Sequence, residues 1–306
     1  MPAAPRMSDR SARNPTVRIW LMAARPRTLP AAVAPVLVGT ALAATEGTFK
    51  PLTFLAALIG ALFIQIGTNL SNDYSDARRG ADTEDRLGPV RVTAGGLVPP
   101  RQVLVATWIA FGLAVLAGTY LIVTAGWVLL LVGAASILAG VLYTGGPRPY
   151  GYEGLGEVFV FLFFGIVAVT GSYYVQTEEL TWEAFALSVP VGLLAAAILV
   201  VNNVRDVDTD RRAGKRTLAV KLGRERTRIL FVAMLAAAFA APLIVIAAGG
   251  LSWCLALTVL AWPLAIPLVR TVRTRADGPA LNEALAGTGR LLGVFSLLLS
   301  AGILLS

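Results

Sequence analysis

Of 306 residues, 56% are apolar, only 14% are charged and the mean hydropathy is +0.72, which excludes an ordinary soluble domain and leaves an integral membrane protein. The net charge of +8 does not point to nucleic acid, because the basic residues lie in short segments between apolar runs of membrane-spanning length. Histidine is absent and the single Cys254 lies in an apolar run, so imidazole chemistry, intrachain disulfides and CxxC sites are excluded and Cys254 reads as a packing residue.

In chain order, residues 1–18 are polar, basic and proline-containing, without the apolar core or cleavage site of a signal peptide. They are expected to form a disordered cytosolic tail ahead of a single transmembrane domain over 19–306. A span needs about 20 mostly apolar residues. Nine runs meet that pattern, over 29–44, 52–70, 103–123, 127–143, 155–175, 185–201, 229–248, 253–269 and 291–305. The expected fold is therefore all-α, with Pro30, Pro35, Pro190, Pro242, Pro263 and Pro267 kinking helices or marking their ends. Charge placement tests the count independently. If the tail and alternate loops share one side, that side holds 25 of the 26 Lys and Arg residues and only Lys50 falls opposite. This predicts a cytoplasmic N-terminus, an external C-terminus and two large cytosolic loops, at about 71–102 and 202–228.

The run at 52–70 leads into NLSNDYSDARRGAD, in which Asn69, Asn72, Asp73 and Asp76 fall at i, i+3, i+4 and i+7. A helix continued through this point carries all four on one stripe, followed by Arg78 and Arg79. The loop after the fourth run reads YTGGPRPYGYEGLGE and holds Tyr143, Arg148, Tyr150 and Glu157. After the sixth run comes NNVRDVDTDRRAGKRTLAV, where Asn202, Asn203, Asp206 and Asp210 share a helix face ahead of Arg211, Arg212, Lys215 and Arg216. A solvated juxtamembrane charge cluster explains the bases of either stretch. It does not explain the aspartates, because topology signals require none. Charges near bilayer depth cost about 2.5–3.5 kcal/mol on the insertion scale and mark functional sites by default.

Two carboxylate-and-amide stripes on one side of a membrane suit an anion that arrives chelated by a divalent metal and carries a lipid tail. Mg²⁺ binds through a few carboxylates plus substrate phosphates. A diphosphate bridged by Mg²⁺ and held by Arg and Lys becomes a good leaving group. If the carbon it leaves is allylic, a carbocation is uncovered, and apolar walls shield it from water until a nucleophile attacks.

These stretches resemble the paired aspartate motifs of the UbiA superfamily of intramembrane prenyltransferases. Within it they look most like the MenA family, the 1,4-dihydroxy-2-naphthoate polyprenyltransferases of menaquinone synthesis. AARPRTLPAAVAPVLVG, the spacing of NDYSDARRGAD, and YTGGPRPYGYEGLGE support that branch, and the resemblance runs over most of the chain from about Trp20. It implies nine helices around a central cavity, with Mg²⁺ and a polyprenyl diphosphate at the cytosolic end. It further implies transfer of the prenyl group to 1,4-dihydroxy-2-naphthoate with loss of CO₂, giving demethylmenaquinone. By motif, Asn72, Asp76, Asp206 and Asp210 hold metal, and Asp73 is a ligand or a residue orienting one. Arg79, Lys215 and Arg216 contact diphosphate, while Arg148 contacts diphosphate or anchors its helix end. Tyr143 and Tyr150 occupy the position that shapes the cation site, a place where tyrosines also serve as interface anchors. Arg25 and Arg27 bind the acceptor carboxylate or fix topology, and Glu157 is a pocket residue or a helix cap. The superfamily has an aspartate four residues after the position of Asp76, where this chain has Gly80, so the role of Asp82 stays open.

The expected partners are polyprenyl diphosphate, the aromatic acceptor and membrane lipid, with no nucleic acid, in the plasma membrane of a bacterium. Isoprenoid length and oligomeric state are not legible. The nearest rivals are sister enzymes acting on 4-hydroxybenzoate, homogentisate or a porphyrin. A transporter or cation channel would bind its ion at mid-membrane on broken helices, whereas these acids end helices in loops. A CDP-alcohol phosphotransferase would carry one extended motif beginning Asp-Gly, whereas this chain has two separated clusters.

Overall fold

The computed structural model describes residues 15–81, 87–249 and 251–306, and every regular element among them is helical. Each of the nine apolar runs lies on a helix. In chain order the helices are α1 (Pro15–Ala24), α2 (Pro30–Thr45), α3 (Pro51–Arg78), α4 (Pro100–Ala125), α5 (Val128–Leu142) and α6 (Gly156–Thr177). They continue with α7 (Trp182–Arg212), the short α8 (Leu218–Leu222), α9 (Arg224–Ala247), α10 (Trp253–Thr274) and α11 (Gly278–Leu304). Among the described residues seven helices are long and apolar enough to cross a membrane, or eight if α1 and α2, bent by 51° at their junction, count as one span. The fourth run, on α5, is apolar but its helix is only 15 residues long. Residues 1–14 of the expected tail lie outside the described residues, and 15–18 are already helical.

The breaks have local causes. Arg25 adopts the left-handed conformation (φ 53°) directly before Pro26, where the proline ring disfavours helix, and a short 3₁₀ turn over Pro26–Thr28 redirects the chain into α2. Pro30 starts α2 and Pro263 lies in the first turn of the α-helical part of α10, positions that lack an intrahelical N–H partner anyway. Pro35, Pro190, Pro242 and Pro267 lie inside helices, and Cys254 is half-buried in the 3₁₀ first part of α10. Three helices run furthest beyond their apolar stretches, α3 to Arg78, α7 to Arg212 and α11 from Gly278 rather than 291. The first two extensions carry the acids.

α7 is the most enclosed span, packed against α2, α6, α9 and α11. Its core partners include Val38, Tyr173, Phe231 and Phe295, all essentially unexposed. On the other flank α3 packs on α2, α4, α5 and α6. The approach of α6 to α7 depends on two glycines. A Cβ on Gly165 would lie 2.6 Å from the Gly192 Cα, and one on Gly192 would lie 2.9 Å from the Phe161 carbonyl oxygen. This crossing falls where Phe161–Val167 winds as a π-helix, a local widening often found at functional sites. Gly192→Val is therefore expected to lower the melting temperature in detergent, because overpacking a closed contact costs about 1–3 kcal/mol. An unchanged melt would show that the two helices do not meet there.

Candidate active site

The C-terminal parts of α3 and α7 both line one cavity of about 800 Å³. Its polar mouth holds Asn72, Asp76, Asp206, Asp210 and Lys215, and its walls run back along α3 as far as Ala57. At 1.5 Å per residue, that depth is roughly 28 Å. Beyond the mouth the lining is apolar and aromatic, with Ile122 and Leu130 deep in the cavity and Tyr143, Tyr150, Phe159 and Phe163 nearer the acids. The aromatic groups form one wall. Tyr143 meets Tyr150 edge to face at 5.5 Å, Tyr150 stacks on Phe159 at 4.0 Å, and Phe159 on Phe163 at 6.1 Å. The Tyr150 hydroxyl donates to the Ala139 carbonyl at 2.8 Å, and burial pushes its pKa well above the ordinary value, so it stays protonated.

The first acid stripe divides its work. Asn72 is buried and accepts a hydrogen bond from the Thr144 hydroxyl at 2.9 Å. Asp76, 2% exposed, accepts from the Tyr152 hydroxyl at 2.5 Å and from Arg91 at 3.3 Å. Asp73 turns to the side and accepts the backbone N–H groups of Val92 and Thr93 at 3.1 and 2.9 Å. It thereby straps the loop after α3 across the mouth and brings Arg91 onto Asp76, an orienting position.

On the second stripe, Asp206 is gripped by the neighbouring Arg205, whose Nε and Nη2 donate to its two oxygens at 2.8 and 2.5 Å. Arg205 is 1% exposed and also donates to Asn202 at 2.8 Å and to Asn282 of α11 at 2.6 Å. Asn282 in turn donates to the Leu87 carbonyl at 3.0 Å, at the start of the same strap. Asp210 lies 3.8 Å from Lys215.

The remaining expected site residues are spread unevenly. Lys215 is buried in the mouth, 4.7 Å above the Tyr152 ring. Arg79 donates to the carbonyls of Thr144 and Gly146 and so braces the loop after α5. Arg148 has 81% of its side chain exposed and pairs with Glu153 at 3.4 Å, outside the cavity lining. Arg216 is exposed, and its backbone N–H donates to the Tyr152 carbonyl at 2.8 Å. Arg25 lines the cavity and donates to the Asn69 carbonyl at 3.4 Å, whereas Arg27 is exposed. Asp82 lies outside the described residues. Arg91, Tyr152, Arg205 and Asn282 were not singled out from sequence. Arg205 stood in the right stretch but read as one more topology base, and Arg91 sits in a loop without periodicity.

The donors fit a divalent cation shared with substrate. Among the described residues no three carboxylates, cysteines or histidines gather into a self-sufficient metal site. However, one ammonium, that of Lys215, lies within 4.0 Å of Asp76 and 3.8 Å of Asp210, so the two stripes converge on a position that a positive charge bridges. An incomplete set of hard oxygen donors is what Mg²⁺ uses when diphosphate oxygens and water complete its shell.

The UbiA prenyltransferase family profile matches residues 32–286. A 1,4-dihydroxy-2-naphthoate octaprenyltransferase of Mycobacterium tuberculosis is 44% identical over 285 residues, covering 93% of this chain and 96% of that protein. The Escherichia coli protein of the same name is 39% identical, covering 94% and 95%. Among solved structures, a UbiA homologue of Archaeoglobus fulgidus bound to DMAPP and Mg²⁺ superposes with a TM-score of 0.67 at 16% identity, covering 93% of this chain and 98% of that one. The apo UbiA homologue of Aeropyrum pernix gives 0.68 at 16% identity, covering 90% and 97%.

Proposed function

The chain belongs to the UbiA prenyltransferase family, and we propose that it transfers a polyprenyl group from polyprenyl diphosphate to 1,4-dihydroxy-2-naphthoate with loss of CO₂, yielding demethylmenaquinone in its quinol form. The observation that carries this reading is the single cavity whose mouth is acidic and basic and whose long remainder is apolar and aromatic. A diphosphate belongs at the first part and an isoprenoid in the second.

Asn72, Asp76, Asp206 and Asp210 would hold Mg²⁺, which when bound neutralises diphosphate charge and improves it as a leaving group. Lys215 and Arg91, both lining the mouth, take the diphosphate oxygens, and the strap pinned by Asp73 keeps Arg91 there. As the allylic C–O bond breaks, its electron pair stays with the diphosphate. Tyr143, Tyr150 and Phe159 offer π faces to the cation, and the apolar lining keeps water from it. The ring carbon bearing the carboxylate attacks, and loss of CO₂ returns the C–C electron pair to the ring. Arg25 suits the acceptor carboxylate, which must be bound before it is lost. The concentration of Lys and Arg in the tail and alternate loops supports a mouth on the cytosolic side of a bacterial plasma membrane, with the C-terminus outside.

The test uses purified protein with labelled polyprenyl diphosphate and carboxyl-labelled naphthoate. One CO₂ released per prenylated product is the expected result. Preference for 4-hydroxybenzoate, homogentisate or a porphyrin, or no CO₂ from the naphthoate, would overturn the reading.

A further inference from the structure

Next to the acids lies a buried carboxylate that the steps above do not use. Glu157, in the first turn of α6, is 3% exposed and has no cationic partner among the ion pairs of the described residues. Its Oε1 accepts a hydrogen bond from the Asn203 side-chain amide at 2.7 Å, and its Oε2 is buried without a hydrogen-bond partner. A carboxylate only accepts, so the Asn203 nitrogen must face it. The amide oxygen of Asn203 is then the atom turned to the cavity that this residue lines.

The location is specific. Asn203 precedes Asp206 by one helical turn, on the membrane side of the acid pair. A Cβ on Gly156 would lie 3.2 Å from the Tyr143 ring, 3.5 Å from its hydroxyl and 3.0 Å from Leu199, so Tyr143, Leu199 and Asn203 line one corner of the cavity, with Glu157 behind Asn203. That corner adjoins the place where the allylic carbon must leave its diphosphate. A diphosphate presents only acceptor oxygens and is repelled by an amide oxygen backed by a carboxylate. A dihydroxylated ring presents O–H donors, which match it.

We propose that Asn203 binds a ring hydroxyl of the acceptor and that Glu157 is the positioning residue that fixes the amide with its oxygen inward. The inference rests on the preceding reading of the function. It makes Asn203 a determinant of acceptor choice, because a polar group built to bond a hydroxyl discriminates strongly against an analogue lacking it.

The experiment compares wild type with Asn203→Ala, Glu157→Ala and Glu157→Gln, measuring KM separately for naphthoate and prenyl diphosphate, the Mg²⁺ activation curve, and rates with analogues lacking either hydroxyl. In Asn203→Ala and Glu157→Ala the acceptor KM is expected to rise about 10- to 100-fold and discrimination against one mono-hydroxy analogue to fall by a similar factor. The diphosphate KM and Mg²⁺ curve should be unchanged. Glu157→Gln keeps an acceptor oxygen for the Asn203 N–H but also offers an N–H of its own, so its acceptor KM should fall between wild type and Glu157→Ala. If Glu157→Ala fails to accumulate in membranes, Asn203→Ala carries the same acceptor readout. The proposal is overturned if acceptor KM stays at the wild-type value, if the Mg²⁺ or diphosphate dependence moves instead, or if Glu157→Gln is as impaired as Glu157→Ala. Wild-type protein that releases no CO₂ from the naphthoate overturns the function reading together with this one; normal release with unmoved acceptor KM in the variants overturns this one alone.

Discussion

Asp76→Asn is expected to abolish turnover, by about 10²- to 10³-fold or more, in a protein that inserts normally and melts only slightly below the wild type. Asparagine keeps the volume of Asp76 and an oxygen for the Tyr152 hydroxyl, and the acceptor it loses served only the longer, 3.3 Å bond from Arg91, so the change in packing is small. What disappears is the negative charge that faces Lys215 and, in turnover, the cation bridging to diphosphate. Asp206→Asn should lose turnover to the same extent and also melt lower. Both Asp206 oxygens are bonded to the buried Arg205, and an amide there offers one acceptor where the guanidinium needs two. Removing a partner from a buried ion pair costs about 3–5 kcal/mol, and the asparagine variant falls below that range because one oxygen remains. Asp76→Asn is thus the cleaner test of chemistry. Turnover of labelled prenyl diphosphate and a thermal melt on the same samples separate the two effects. Wild-type rates in Asp76→Asn, or activity that survives exhaustive chelation of divalent metal, would refute the metal-assisted mechanism.

The acid stripes were legible because the helical period alone put Asn72 and Asp76, and Asp206 and Asp210, on common faces, and both helices do continue past their apolar ends. The same period could not separate Asp73 from Asp76. Adjacent residues such as Asn72 and Asp73 diverge by about 100°, and which one meets the cavity depends on where the 87–98 strap crosses, a tertiary matter. The count of spans was legible only as a count of apolar runs. α5 is too short to meet the length criterion, and the bend at Arg25 and Pro26 turns the chain just ahead of α2. Arg148 and Arg205 show the limit most sharply. Both are arginines beside acids at a helix end, yet one is solvated and the other is sealed between α7 and α11. Nothing in local spacing distinguishes an arginine that marks topology from one that organises a site.

That buried arginine gives the second large effect. Arg205→Lys is expected to lower the melting temperature and to weaken Mg²⁺ activation and turnover about 10- to 100-fold, the usual scale for losing a residue that orients a metal ligand. The lysine retains the charge but not the fork. An ammonium can reach Asp206, yet it cannot at the same time hold both carboxylate oxygens, Asn202 and Asn282 in the plane that the guanidinium spans. Arg205→Met goes further, because it leaves Asp206 buried without its counter-charge, and little folded protein is expected. Asn282→Ala separates the two jobs of the network. It cuts the link from Arg205 to the Leu87 carbonyl while leaving the bidentate grip on Asp206 in place. If Arg205 acts only on Asp206, Asn282→Ala retains the wild-type Mg²⁺ curve. If the chain from Asp206 through Arg205 and Asn282 to the strap also sets the position of Arg91, the diphosphate KM rises while the Mg²⁺ curve holds. The structure favours the second outcome, since the strap is pinned at three points, Leu87, Arg91 and the Val92–Thr93 amides, and each is tied to one of the two acid stripes. The two motifs, separated by more than a hundred residues in sequence, are then one mechanical unit, and a wild-type diphosphate KM in Asn282→Ala would show that they are not.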